Sequence, residues 1–435
     1  MSTQSVSWFD PASKAYRFIG LFFISAITFG SYFAYDIIGA IAPTLIEELG
    51  AGRGTVGFFY TAYSIAAIIF VLASGFVIDW LGTRKASLIF SGIVVVGGVI
   101  IAFAPNITTL MIGRFVFGAG AEPLAVVQSA MLARWFKGKE LALAFGVALT
   151  ISRLGTMFAF NTGELISDYF GGARFALYAA AIFCGFSLLS NLVYIYMDRK
   201  AEKAVGLKEE TAGDKIKLSD IAYFGPRFWY IAILCVLFYS AVFPFTALST
   251  DFFVDKWGFP RVADTNGSFM MQVFGSFLHM FSTAGGISSI IIFASMVMAP
   301  FAGQILDKVG KRATIMIIGS LLLIPAHLLM GLTTINPVLP MILLGFAFVL
   351  VPAALWPAIA MIVDEKHTGT AFGITTFIQN IGLALFPFLN GTLRDLTHDY
   401  TASMIMFASL GVIGLVFSIL LKRADARTGN MLEKP

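Results

Sequence analysis

GFVIDWLGTRK at residues 75–85 and GQILDKVGKR at residues 303–312 are one short phrase written twice. Gly75, Asp79, Gly82, Arg84 and Lys85 recur in the second half as Gly303, Asp307, Gly310, Lys311 and Arg312, the basic pair closing up by one place. Each copy joins two long apolar runs, so each reads as a tight turn between two membrane helices. A second echo runs at nearly the same offset: Phe145-Gly146 with Gly155 is answered by Phe372-Gly373 with Gly382. Two unrelated pairs at nearly one spacing indicate an internal duplication.

Composition places the duplicated halves in lipid. The 435 residues are 58% hydrophobic and 12% charged, about half the charge of an average soluble domain. Apolar runs predict twelve spans, at roughly 18–43, 56–79, 86–104, 107–133, 139–165, 172–197, 228–250, 283–306, 313–333, 337–363, 368–393 and 401–422. The domain reading follows: a six-helix bundle over 1–197, a polar cytoplasmic linker over 198–227, a second bundle over 228–422, and a cytoplasmic tail over 423–435. Residues 268–282, SFMMQVFGSFLHMFS, resist the scheme; with the eighth span they make a helix too long for one bilayer. Gly285-Gly286 is the expected break between an interfacial segment and the span.

Of the 29 lysines and arginines, Arg53, Arg174, Lys256, Arg261 and Arg394 fall in one set of loops. Arg114 and Arg153 lie inside spans, and the remaining 22 share the side of the termini and the linker. Positive residues stay cytoplasmic, which puts both termini in the cytosol. The net charge of +4 is scattered between helices and forms no nucleic-acid stripe. Cys184 and Cys235 both sit in apolar runs, which supports neither a disulfide framework nor a zinc site. No phosphate cradle, metal-ligand cluster or nucleophile–base arrangement is legible; neither an enzyme nor a cofactor is expected. Asn266-Gly-Ser is a glycosylation triplet of a kind that arises often by chance.

Ionisable groups at bilayer depth are costly and face a partner or a wet cavity. Glu122 lies twelve residues before Arg134, about 18 Å into the membrane, and Arg153 fourteen after Lys139, about 21 Å in. They occupy consecutive antiparallel helices. Either they neutralise each other, or they hold the two ends of a zwitterion, carboxylate to amine and guanidinium to carboxylate. Asp36 and Arg114 share a depth of about 28–30 Å, near the outer face. That pair reads as a static clamp, an outer gate or a protonatable coupling site. In the second half, Tyr239, Trp356 and Asn380 lie at comparable depth and can form a hydrogen-bonding aromatic wall, or can simply pack. His327 is isolated on its helix and reads as satisfied locally. In the duplicated loops, Asp79 with Arg84 and Asp307 with Arg312 can pair with each other or with neighbouring helix ends, as gates or as topological anchors.

Duplicated membrane halves are the usual architecture of a secondary transporter. The twin loops, with GRFVFGAG at 113–120, resemble the major facilitator superfamily over nearly the whole chain. FGSYFAYD (29–36), GRFVFGAGAEPLAV (113–126), WFKGKELALAFG (135–146), SRLG (152–155), YSAVFPF (239–245), ALWP (354–357) and GTAFGITTFIQNIGLA (369–384) resemble its lysosomal dipeptide uniporter branch. The resemblance implies an all-α membrane protein of twelve transmembrane helices in two pseudo-symmetric six-helix bundles, working by alternating access. It implies uniport of dipeptides, with Glu122 meeting the peptide amine, Arg153 its carboxylate, and Trp356 and Tyr239 as pocket walls. Two rivals stand beside it: proton-coupled symport of a small organic anion, and a non-transporting membrane sensor. The short N-terminus carries no acidic dileucine signal. A prokaryotic-type plasma membrane is therefore the expected home, and the branch's accessory glycoprotein is not expected.

Overall fold

The computed structural model describes residues 10–136, 140–205, 221, 223–265, 267–364 and 367–434, apart from the side chains of 142, 205, 299, 300, 303, 304 and 307. Asn266 and most of the expected linker, 206–220 and 222, lie outside the described residues. Helices account for nearly all of the chain, and no strand occurs among the described residues. In chain order they are α1 (Lys14–Ala40), α2 (Ala42–Leu49), α3 (Arg53–Ala102), α4 (Ile107–Phe136), α5 (Leu141–Phe170), α6 (Ala173–Val205) and α7 (Pro226–Thr246). Then come α8 (Ser249–Trp257), α9 (Phe269–Leu278), α10 (Ala284–Val309), α11 (Arg312–Leu332), α12 (Val338–Ile362), α13 (Thr368–Thr397) and α14 (Thr401–Ala426).

Ten helices among the described residues are long and apolar enough to cross a membrane. One of them, α3, has 50 residues, about 75 Å of helix and twice what a bilayer needs. It is two spans, broken only at Gly82, whose φ of 77° and ψ of 164° suit a residue without a Cβ. The matching turn between α10 and α11 uses Gly310 at φ 65° and Lys311 at φ 53°. Both copies of the repeated phrase therefore turn at the same glycine. The 26-residue α10 supplies the twelfth span, its first half free of charged residues. This is the all-helical, many-span architecture that the resemblance implies.

Membrane helices hold together in a solvent as apolar as their own side chains, so close packing and internal hydrogen bonds replace the hydrophobic drive. Prolines stand inside α4, α7, α11, α12 and α13. Neighbouring helices can re-satisfy the backbone groups that each proline frees.

Two short helices were not legible in the hydropathy. Pro43 opens α2, Gly50 ends it in the left-handed conformation, and Gly258 ends α8 in the same way. The start of the eighth span also differs from expectation. The break falls before Gly285-Gly286, across a 3-10 turn at Met280–Ser282, and Thr283 caps α10 by accepting the Gly286 N–H at 3.1 Å. A polar cap outweighed the glycines as a helix start.

The helices divide into two compact units, and α1, α3, α5 and α6 contribute to both. One comprises Met1–Tyr35, Ile69–Thr156 and Leu177–Ala212; the other Asp36–Ile68, Met157–Ala176 and Gly213–Pro435.

Candidate functional site

In the first unit, Glu122 on α4 and Arg153 on α5 are both half-buried. Pro123 follows Glu122 directly; it lacks an N–H, so the Ala119 carbonyl one turn back loses its helical donor. Backbone polarity is thus released beside the carboxylate. On α5, Gly155 lies two residues past Arg153, where a Cβ would collide with the Phe29 carbonyl oxygen of α1. The guanidinium therefore springs from a helix seated backbone-to-backbone on its neighbour.

A small polar network sets the register of these helices. Gln128 on α4 donates to the Ile24 carbonyl at 2.8 Å and to Thr28 Oγ1 at 2.9 Å. Thr28 in turn shares a 2.6 Å hydrogen bond with Ser152, the residue before Arg153. Gln128, Thr28 and Ser152 are all buried. Sequence reasoning passed over them because neutral polar residues in a span carry no depth signal of their own.

Arg114 is fully buried. Its guanidinium donates to the carbonyls of Ala34 and Tyr35 at 3.2 and 3.4 Å and lies over the rings of Tyr35 and Phe117. Asp36, the next residue along α1, is buried at 7% exposure.

In the second unit the structure brings Tyr239 and Trp356 together, the indole N–H donating to the phenol oxygen at 3.0 Å. Trp356 also stacks on Phe372, and Tyr239 on Phe243, so an aromatic run links α7, α12 and α13. Asn380 is buried and spends its amide on the Thr376 carbonyl of its own helix at 3.0 Å. His327 bonds the Leu323 carbonyl at 2.9 Å, the local satisfaction expected of it.

The charged residues of the repeated loops take partners the sequence did not reveal. Arg84 pairs with Asp198 and with Glu202 on α6, the latter at 2.7 Å. Asp198 is fully buried and also receives Arg134 at 3.0 Å and the Trp135 indole at 2.6 Å. Asp79 Oδ1 is buried and has no hydrogen-bond partner among the described residues. In the second copy, Asp307 lies on α10 with its side chain outside the described residues, and Arg312 donates to the Lys434 carbonyl at 3.3 Å.

A polar seam unites helix ends within the second unit. Arg53 makes a two-pronged contact to Asp251 at 2.7 and 3.2 Å, and Tyr400 donates to the same carboxylate. Asp395 accepts the backbone N–H groups of Arg53 and Gly54 at 3.0 and 2.8 Å, capping that end of α3. Thr61 donates to the Ala384 carbonyl, and a Cβ on Gly57 would collide with the Pro387 carbonyl oxygen. Nearby, Glu47 pairs with Arg261, whose hydrogen bond holds the Glu47 carboxyl below the usual carboxylate range.

Among the described residues no cluster of His, Cys, Asp and Glu is set to hold a metal. Duplicated helical halves, buried charge and ion-paired turns define a multi-pass membrane transporter. The family profile described as Major Facilitator Superfamily matches residues 24–387 and 262–434. The chain belongs to the major facilitator superfamily. It is 34% identical to the lysosomal dipeptide transporter MFSD1 of Mus musculus over 97% of this chain and 89% of that one. It is 32% identical to the Danio rerio protein of that name, over 96% and 88%. The hexuronate transporter of Bacillus subtilis is 24% identical over 92% and 94%. Among solved structures, the nucleoside transporter NupG superposes with a TM-score of 0.71 at 16% identity, covering 92% of this chain and 99% of that one, a likeness of fold. These proteins are membrane transporters and not enzymes. The MFSD1 relatives are named lysosomal, which leans against a plasma-membrane home.

Proposed function

We propose that this protein moves dipeptides, or small zwitterions like them, by alternating access and as a uniporter, with both termini cytoplasmic. Glu122 receives the substrate's ammonium and Arg153 its carboxylate. Tyr239, Trp356 and Asn380 contribute a hydrogen-bonding wall. The two halves are the bundles 1–197 and 228–422, joined through 198–227.

The observation that carries the reading is the pair of opposite charges on two helices whose register is held by a buried network. Glu122 stands six residues from Gln128, about 9 Å along α4, while Arg153 is one residue, about 1.5 Å, past Ser152. Both steps run the same way along the antiparallel helices, so the axial offset is about 7.5 Å, wider than the about 3 Å between the depths counted from the sequence and close to the roughly 7 Å that two fully extended residues span. A cargo with one charge at each end suits such a grip; a lone anion meets repulsion from Glu122. The dipeptide transporters among the relatives support the same class of substrate.

Thermal shift with a dipeptide, its N-acetyl form and its C-terminal amide tests the grip. The free dipeptide should stabilise the protein, and each blocked form should lose most of that effect. Equal stabilisation by all three defeats the reading. Glu122→Gln and Arg153→Ala should each abolish the shift while the protein stays assembled. In proteoliposomes, uptake of labelled dipeptide should not depend on an imposed pH gradient; a dependence replaces uniport with proton coupling.

A further inference from the structure

The segment 268–282 has no counterpart in the repeat, and its helix α9 faces the wrong way for a loop in water. Only Gly275 and Ser276 are buried along it. Met270, Met271, Phe274 and Leu278 are 71, 63, 66 and 64% exposed, and Phe281 follows at 52%. All five are apolar; the four on α9 share one face of the helix, at spacings of three and four, and Phe281 follows in the 3-10 turn. A helix turned to water carries its polar residues on that face. From Thr265 to Leu306 the chain holds no Asp, Glu, Lys or Arg, although α10 begins only at Ala284.

The opposite edge of α9 is docked. Phe277 packs on Phe158 of α5 with ring centroids 4.9 Å apart, and Phe269 meets Tyr169 and Phe170 at 5.2 and 5.4 Å. Beneath it α5 and α10 are tightly joined: a Cβ on Gly285 would collide with the Phe160 carbonyl oxygen, and Asn161 donates to Ser289 at 3.0 Å. Tyr169 and Phe170, which α9 meets on α5, are themselves exposed, and so are Phe293 and Val297 on α10.

We propose that α9 is a lipid-embedded strap. Its Met270, Met271, Phe274, Leu278 and Phe281 side sits among acyl chains in the leaflet opposite the termini, while Phe269 and Phe277 hold it to α5 and the turn at Met280–Ser282 leads on into α10. The occupant is lipid because the patch adjoins the exposed aromatic end of α5, a helix long and apolar enough to cross a membrane, and is free of charge. Polar groups bound the strap, Asp264 and Ser268 before it and His279 after it, where a helix lying in the interface meets headgroups.

Nitroxide labels at Met271→Cys and Phe274→Cys test this in the full-length protein in phosphatidylcholine vesicles. Cys184 and Cys235 are buried and are replaced by alanine in that background. Phe293→Cys on α10 is the lipid-facing reference. Collision with oxygen, which partitions into acyl chains, should exceed collision with a water-soluble nickel chelate severalfold at both sites, as at the reference. Nickel access equal to or above oxygen access makes α9 an aqueous loop and overturns the proposal. Low access to both reagents assigns the face to a protein, either a second copy or another subunit, and overturns it equally.

Discussion

Asp198 and Asp425 stand in the closing part of the last helix of each half, separated by the repeat's own offset, and both are fully buried. Their partners differ in kind. Asp198 gathers two guanidinium groups, Arg84 of the repeated phrase and Arg134, together with the Trp135 indole. Asp425 takes one guanidinium, Arg227 at 3.2 Å, and the backbone N–H of Leu432 at 2.9 Å, where the tail folds back as a 3-10 turn at Met431–Glu433. Glu433 then caps α11, accepting the Thr314 N–H at 2.8 Å and the Thr314 hydroxyl at 2.7 Å. One half closes its end with side chains from its own turn, the other with a strip of tail. Duplication preserved the buried acid and left its neutralisation free to diverge.

That contrast is easiest to break at Asp198. Replacing it by alanine takes the shared buried carboxylate from Arg134 and from Arg84, which keeps Glu202, and losing one member of a buried ion pair costs about 3–5 kcal/mol. A large fall in melting temperature, or failure to assemble, is expected; a fall no larger than that of Asp425→Ala would show the two acids to be equivalent. Asp425→Ala leaves a single, partly exposed Arg227 and one backbone donor, so a loss of about 1–3 kcal/mol is expected by the same melt. Glu433→Ala removes the cap on α11 and the 3.6 Å pairing with Lys422, at a cost of about 1 kcal/mol.

Glu47 sharpens the comparison from the opposite face of the membrane, because it is an exposed acid with a guanidinium partner. Hydrogen bonding to Arg261 holds its carboxyl below the usual range, so its contribution is present above the usual carboxylate pKa of about 4.3 and is lost as pH falls through the lowered value. Arg261→Gln should move the Glu47 titration up towards the usual value with little change in melting temperature, as read by carboxyl chemical shifts against pH. A shift downward would mean that the pairing is not its cause.

Much of the fold was legible because its signals are long. Twelve apolar runs and a phrase written twice need no side-chain geometry, and Gly82 and Gly310 turned the chain where their spacing placed them. The buried acids were not legible, although their offset was on the page, because an aspartate at a helix end reads as ordinary loop polarity. Glu122 and Arg153 stood out as charges at depth. Gln128, Thr28 and Ser152 did not, since an amide or hydroxyl inside a span is cheap enough to pass without notice. Arg84 pointed to its neighbour Asp79 in sequence, yet its bonds run to α6, because the partners of a turn are set by what packs beside it.

Gly57 has a practical consequence. Where its α-carbon rests on the Pro387 carbonyl, two main chains touch with nothing compressible between them. A tryptophan there would act as a doorstop, prising α3 from α13 along the stretch that Asp395 and Thr61 otherwise fasten. Such a variant would supply a trapped conformer for raising conformation-specific antibody fragments, made by exchanging one residue and without any ligand.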